Sequence, residues 1–210
     1  MCTFLNVART TRKDARRRDL VAAAERAVSE HGVAEVKLKD VAEAAGMSPT
    51  SLLYYYDEGL DAILADVHRT AVERFLDMRE AAVDACDGPT AQLVALLRLG
   101  VPSGDEDHLV RTLYETTAFL QRHPYHALLA SSFIERQVAL FERVLAVGAE
   151  RGEFTLVARP RELARAFLAL EDGLVLHVIV EGERFDRTAA LAVQAGYASL
   201  VTGSTIVLTD

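Results

Sequence analysis

The chain has 210 residues, half of them hydrophobic, with two cysteines, no tryptophan and a formal net charge of −8. That length suits one or two domains whose cores need no disulfide staples, and Cys2 and Cys86 offer neither a zinc spacing nor a disulfide framework, as in a reducing cytosol. No run of eighteen apolar residues and no signal-peptide core occurs, so a soluble, cytoplasmic protein is expected.

The charge is unevenly placed. Residues 1 to 18 carry Arg9, Arg12, Lys13, Arg16, Arg17 and Arg18 against Asp14 alone, a local charge of +5 on an otherwise acidic chain. A basic arm on an acidic body orients a molecule toward a polyanion and repels it elsewhere. The alternative is a solvated charge run at a flexible terminus. In the first case Arg12, Lys13 and Arg16 are candidates for phosphate contact.

In chain order, helical spacing begins near Ala15, with Leu20, Ala24, Ala27 and Val28 on one face, and ends at His31-Gly32. A short helix covers Leu38 to Ala45 and stops at Gly46. Ser48 then reads as an N-cap with Pro49 at the first helical position, where its missing N–H is harmless; that helix is expected to reach Tyr56. A long helix follows from Leu60 to Ala85, then helical segments at 90 to 100 and 106 to 122. After Pro124 the pattern runs to Gly152, another helix spans Pro160 to Gly182, and a last one Asp186 to Thr202. The tail 203 to 210 is either a short strand or disordered. No alternating strand pattern of useful length occurs elsewhere, so the expected fold is all-α. Its parts are a flexible basic arm (1–13), a three-helix helix-turn-helix domain (14–58), a helical bundle (59–202) and the tail.

The stretch KDVAEAAGMSPTSLLYYYDE carries the most chemistry. Two short helices joined by a glycine-containing turn fit a helix-turn-helix. Val41, Ala42 and Ala45 pack the first helix inward, and Leu52 with Tyr56 anchors the second. Gly46 can take the left-handed conformation that the turn demands. The second helix then presents its N-terminal residues to a DNA groove. Ser48 and Pro49 lie at its tip, Thr50 and Ser51 are small enough to reach base edges, and Tyr54 and Tyr55 can lay rings on thymine methyls or donate to phosphates.

The segment LKDVAEAAGMSPTSLLYYYDEGLDAIL resembles the N-terminal domain of TetR-family transcriptional regulators, over about residues 14 to 65. The resemblance implies a homodimeric, ligand-responsive repressor released from a DNA operator when a small-molecule effector binds. It places Lys39 where relatives contact a base or phosphate, and Thr50, Ser51, Tyr54 and Tyr55 on the recognition-helix positions. Three residues depart from the pattern. Lys37 replaces the usual Thr or Ser cap, removing a capping bond but adding a possible phosphate contact. Leu53 replaces a tyrosine, and Gly59 replaces a lysine that grips the backbone.

Beyond residue 65 the likeness is one of pattern: the length, helix count and two long C-terminal helices resemble the family's ligand-binding and dimerisation domain, which would be residues 59–202 here. From Ala166 to Val180 just Glu171, Asp172 and His177 interrupt an apolar surface, and Leu191, Val193, Tyr197, Leu200 and Val201 follow on the next helix. A helix apolar nearly all round must be buried on several sides, and pairing of these two helices across a two-fold axis would do it; the alternative is the core of an ordinary monomer. A mostly apolar effector pocket is expected between the helix at 60 to 85 and the helix at 160 to 182. Leu129, Phe133, Arg136 and Leu140 share one face there, with Gln137 beside them. Arg136 suggests an acidic ligand group, or else an internal salt bridge to Glu171 or Asp172. Tyr114, Thr117, Phe167 and Glu171 complete the candidate lining.

No catalytic constellation stands out. His123 and His126 straddle Pro124 without a third ligand, adjacent Glu171 and Asp172 point different ways, and no phosphate-binding loop, GxSxG or dinucleotide fingerprint occurs. Neither enzyme activity, cofactor nor metal is expected. The alternative to an effector-controlled repressor is a ligand-independent DNA-binding or architectural protein.

If the basic arm grips DNA, deleting residues 1 to 13 removes Arg9, Arg12 and Lys13. The slope of log binding constant against log salt should then flatten by about 0.9 for each phosphate no longer neutralised; an unchanged slope in a salt titration would show the arm idle.

Overall fold

The structure is a computed structural model that describes the backbone of residues 3–102, 112–114, 116 and 124–208, and the side chains of residues 15–102, 112–114, 116 and 130–208. The described elements are α1 (Thr3–His31), α2 (Leu38–Ala44), α3 (Pro49–Leu53), α4 (Leu60–Asp84), α5 (Pro89–Gly100), α6 (Pro124–Glu150), α7 (Pro160–Glu181), a 3-10 turn (Gly182–Arg184) and α8 (Arg187–Thr202). Residues 112–114 and 116, inside the segment expected to be helical at 106 to 122, are helical. Among the described residues there is no strand, and no helix is long and apolar enough to cross a membrane.

Two compact units form: Met1–Glu73 with Arg111–Leu129, and Arg74–Val110 with Ala130–Asp210. The division falls inside α4, further along the chain than the boundary at 58/59 expected from the sequence. Helix α4 therefore contributes its first part to one unit and its remainder to the other.

The first unit is built on small apolar side chains. Leu20, Ala24, Ala27 and Val28 of α1 meet Val41 and Ala42 of α2, Leu52 of α3, Tyr56, and Ile63, Leu64 and Val67 of α4. Helix α2 is short, and its ends are secured locally. Asp40 accepts from the Lys37 backbone N–H at 2.8 Å, so the cap position that carries a lysine is served from the other side. At the far end the Met47 N–H reaches Ala42 O (2.9 Å) and the Gly46 N–H reaches Glu43 O (3.0 Å). This double closure needs a left-handed residue at the turn, and Gly46 supplies it with φ +64°. The chain then turns into α3, where Ser48 accepts from the Ser51 N–H at 3.1 Å and Pro49 starts the helix.

Two local expectations change. Helix α1 starts at Thr3 and not near Ala15, so residues 3 to 13 are its first turns; the stretch holds no Gly or Pro that could stop it. Helix α3 ends at Leu53 and not at Tyr56, and Tyr54 and Tyr55 lie in the turn that follows.

In the second unit Leu93, Leu96 and Leu97 of α5, Val138, Phe141, Val144 and Leu145 of α6, Leu163, Phe167 and Leu168 of α7, and Ala198 and Val201 of α8 form one core. Phe141 and Phe167 stack with centroids 5.6 Å apart, and Tyr197 meets Phe167 edge-on at 5.0 Å. The tail is neither strand nor disordered over its described residues. After Gly203 it folds back, the Ile206 N–H donates to Ser199 Oγ at 2.9 Å, and the Ile206 side chain enters the core at 4% exposure. Ile206→Ala should accordingly cost about 2–4 kcal/mol in denaturant unfolding, whereas a tail without packing would leave stability within about 0.5 kcal/mol.

Candidate nucleic-acid interface and a buried polar layer

Helix α3 is too short to be stable alone, so its placement depends on buried anchors. Leu52 is fully buried and Tyr56 nearly so. The Tyr56 hydroxyl donates to Asp66 Oδ2 at 2.8 Å. Burial and this bond push the phenol's pKa well above its ordinary value, which keeps it a donor. From the other side Arg17 of α1 donates to Tyr55 O at 3.0 Å and lays its guanidinium 5.0 Å from the Tyr56 ring centre. Arg26 likewise ties α1 to the end of α2, donating to Ala44 O at 2.9 Å.

With those anchors turned in, the remaining side chains of the motif face out. Lys37, Lys39, Ser48, Pro49, Thr50 and Ser51 are all exposed. Tyr54 is 68% exposed, Leu53 40%, and Tyr55 is half-buried with its ring edge-on to Tyr54 at 5.2 Å. Ser48 and Ser51 also join through their hydroxyls at 2.9 Å, which commits part of their hydrogen-bonding capacity to the cap. Arg16 is half-buried and pairs with Asp19 at 3.7 Å. The side chains of Arg12 and Lys13 lie outside the described residues. The three tyrosines thus divide their labour: one is an anchor, one an outward ring, one an edge between them.

The candidate effector residues do not form the face read from the sequence. Arg136 points outward with its side chain 47% exposed and stands 3.7 Å from Glu80, so it meets neither Glu171 nor Asp172. Helix periodicity explains this, because α6 turns Gln137, Val138, Phe141, Val144 and Leu145 inward and leaves 136 on the other side. Phe133 is half-buried and meets Phe75 edge-on at 6.0 Å. Phe167 is a core residue, and Tyr114 is half-buried in the first unit. Thr117, His123 and the side chains of His126 and Leu129 lie outside the described residues.

Gln137 and Glu171, by contrast, are brought together, and by an arginine that the sequence pattern alone did not single out. Arg79 of α4 is wholly buried. Its Nη1 donates to Gln137 Oε1 at 2.6 Å, and its Nη2 to Glu171 Oε2 at 2.5 Å and to Leu96 O at 3.4 Å. The guanidinium lies 4.6 Å from the Phe75 ring centre and 5.5 Å from that of Phe141. Gly100 makes room for the pair, since a Cβ there would fall 2.0 Å from Glu171 Oε2. Burial raises the pKa of the Glu171 carboxyl, with Arg79 opposing. A signal for Arg79 was present: it shares the inward stripe of α4 with Phe75, Leu76 and Val83.

A helix pair held by buried anchors with its polar residues outward, joined to a separate helical unit, defines a helix-turn-helix DNA-binding regulator. Similarity to known families agrees. The family described as bacterial regulatory proteins, tetR family, matches residues 20–64, and the BetI-type transcriptional repressor C-terminal family matches residues 89–201, over half of the chain. The chain belongs to the TetR family of transcriptional regulators.

Solved structures share its fold. A TetR transcription regulator from Haloarcula marismortui is 23% identical, with TM-score 0.80, over 90% of this chain and 99% of that one. A protein from Saccharomonospora viridis in complex with choline is 20% identical, with TM-score 0.79, over 87% and 95%. AibR in complex with isovaleryl coenzyme A and operator DNA is 14% identical, with TM-score 0.64, over 90% and 99%. No curated protein matches the chain.

The buried pair makes an asymmetric prediction. Arg79→Met alone should destabilise the chain by about 3–5 kcal/mol in denaturant unfolding, because the buried Glu171 carboxyl loses the partner that answers it. Combining it with Glu171→Leu should recover most of that loss, and Arg136→Ala should stay within about 0.5 kcal/mol.

Proposed function

We propose that the protein is a homodimeric repressor that binds a palindromic DNA operator through two copies of the α2–α3 motif and is released by a small-molecule effector. The observation that carries this reading is the division of the α3 region into buried anchors (Leu52, Tyr56) and an exposed polar edge (Lys39, Ser48, Pro49, Thr50, Ser51, Tyr54). Apart from the Ser48–Ser51 cap and the Tyr54–Tyr55 ring contact, these exposed side chains are available to read a groove. Lys37, Tyr55 and Arg16 flank that edge, and with Arg12 and Lys13 they are the phosphate-contact candidates.

Dimerisation is supported by what α7 and α8 leave in water. Leu176, Ile179, Val180, Val193 and Leu200 are 38% to 73% exposed, and Gly173 and Gly196 have open space where a side chain would be. Full burial of a large aliphatic side chain is worth roughly 1.5–3 kcal/mol, so leaving this stripe uncovered forgoes a large stabilisation. Small residues within it permit close helix approach. Two heads about 34–36 Å apart would then match half-sites one duplex turn apart.

Effector control has support in kind: structures of the same fold carry choline in one case, and an acyl coenzyme A together with operator DNA in another. Helix α4 belongs to both units, so a change in its second part has a direct covalent route to the first. The effector shifts the population toward a form whose two heads no longer match the operator.

The test is operator selection from random duplexes followed by mutation. Tyr54→Ala should leave thermal stability unchanged and weaken binding to the selected duplex about tenfold or more. Leu176→Glu with Leu200→Glu should sediment as a folded monomer devoid of specific binding. Unchanged sedimentation and unchanged binding in that double variant would refute the dimer interface.

A further inference from the structure

The buried Arg79 belongs to a wider polar layer. On α7, Glu171 lies between Phe167 and Leu168 of the larger core and Leu174 of a smaller one; on α8, Gln194 lies between Leu191 of the smaller core and Ala198 of the larger. On α5, Gly100 lies between Leu97 and Val101 of the same two clusters. Helices α4 to α8 thus each contribute one residue to the layer: Arg79, Gly100, Gln137, Glu171 and Gln194.

Hydrogen bonding in the layer is incomplete. Arg79 Nε and both amide atoms of Gln194 are buried with no partner among the described residues, although Gln194 has no exposed surface at all. Protein interiors rarely leave such groups unanswered. The open positions are a donor on Arg79, and a donor and an acceptor on Gln194.

We propose that this layer is a binding site for a small organic acid, whose carboxylate accepts from Arg79 Nε through one oxygen and from Gln194 Nε2 through the other. The proposal rests on the effector reading above for its regulatory meaning, and on the layer alone for its chemistry. Charge selects the class. Arg79 cannot shed its proton, so an incoming cation would leave two positive charges against one buried carboxylate. An incoming carboxylate can be matched, because Glu171 can take up one proton from solvent and leave the layer's net charge unchanged. The groups acting on Glu171 favour that step on balance. Burial pushes its carboxyl up and Arg79 of α4 holds it down, while its neighbour Asp172 on α7 pushes it up further. Gly100 of α5, Gln137 of α6 and Gln194 of α8 bring no charge.

The experiment is thermal unfolding of the full chain with millimolar hexanoate or benzoate, against hexanamide and hexyltrimethylammonium, at pH 6 and pH 8. The acids should raise Tm in a dose-dependent way and the other two should not. Affinity should rise as pH falls, by up to about tenfold per pH unit while Glu171 is ionised in the free protein. Gln194→Met keeps the side chain's shape, should fold with equal or higher Tm, and should bind hexanoate at least tenfold more weakly. Glu171→Gln, whose amide oxygen can still accept from Arg79, should bind it without pH dependence.

Preference for the quaternary ammonium, no stabilisation by either acid, or undiminished binding to Gln194→Met would each overturn the proposal. Should the acids fail while a compound of another class releases operator DNA, the carboxylate assignment falls and effector control stands. Should the acids bind at this layer without altering operator affinity, the site stands and its regulatory role falls.

Discussion

A guanidinium taken out of water must be answered, and the second unit is arranged around that demand at both terminal nitrogens of Arg79. Arg79 is met by an amide from α6, a carboxylate from α7, a backbone carbonyl from α5 and two ring faces. The attraction between the two charges is largely offset by the cost of drying them, so the pair contributes little net stability. What it contributes is geometry. Removing either partner strands the other, so α4, α5, α6 and α7 are held in one mutual register, and Gly100 is the residue that lets the register close.

The first unit solves the opposite problem, that of holding a five-residue helix in place while leaving its surface bare. Its anchors come from elsewhere. Arg17 reaches from α1 to a backbone carbonyl and a ring face, and Asp66 reaches from α4 to the Tyr56 hydroxyl. Because these contacts carry the placement, Thr50, Ser51 and Tyr54 need not be buried, and their side chains stay exposed. A reading head of this kind is rigid behind and open in front, which suits a site that must recognise a surface with little rearrangement.

Much of this arrangement was legible in local signals. Gly46, Ser48-Pro49 and Pro160 punctuate the chain where helices stop or start, and each marks a real boundary because the constraint is local to those residues. Leu52 and Tyr56 were readable as anchors from helical spacing. The boundaries that slipped lack such punctuation: nothing between Thr3 and Ala15 halts a helix, and nothing in Leu53 to Tyr56 announces where one ends. The ligand-side reading slipped for another reason. A charged residue amid apolar neighbours on α6 looked inward, yet a rotation of one position put Gln137 inside and Arg136 in water.

By itself, then, the order of residues determined an all-helical chain, the position of its helix-turn-helix and the outward polar edge of α3, all of which depend on contacts within a few turns of each other. Only the tertiary structure decided which arginine is buried and what answers it. Arg79 lies 58 residues from Gln137 and 92 from Glu171, and no local propensity reports on so distant a partner. The fate of each charge depended on where five helices came together, which is a property of their packing and not of any one segment.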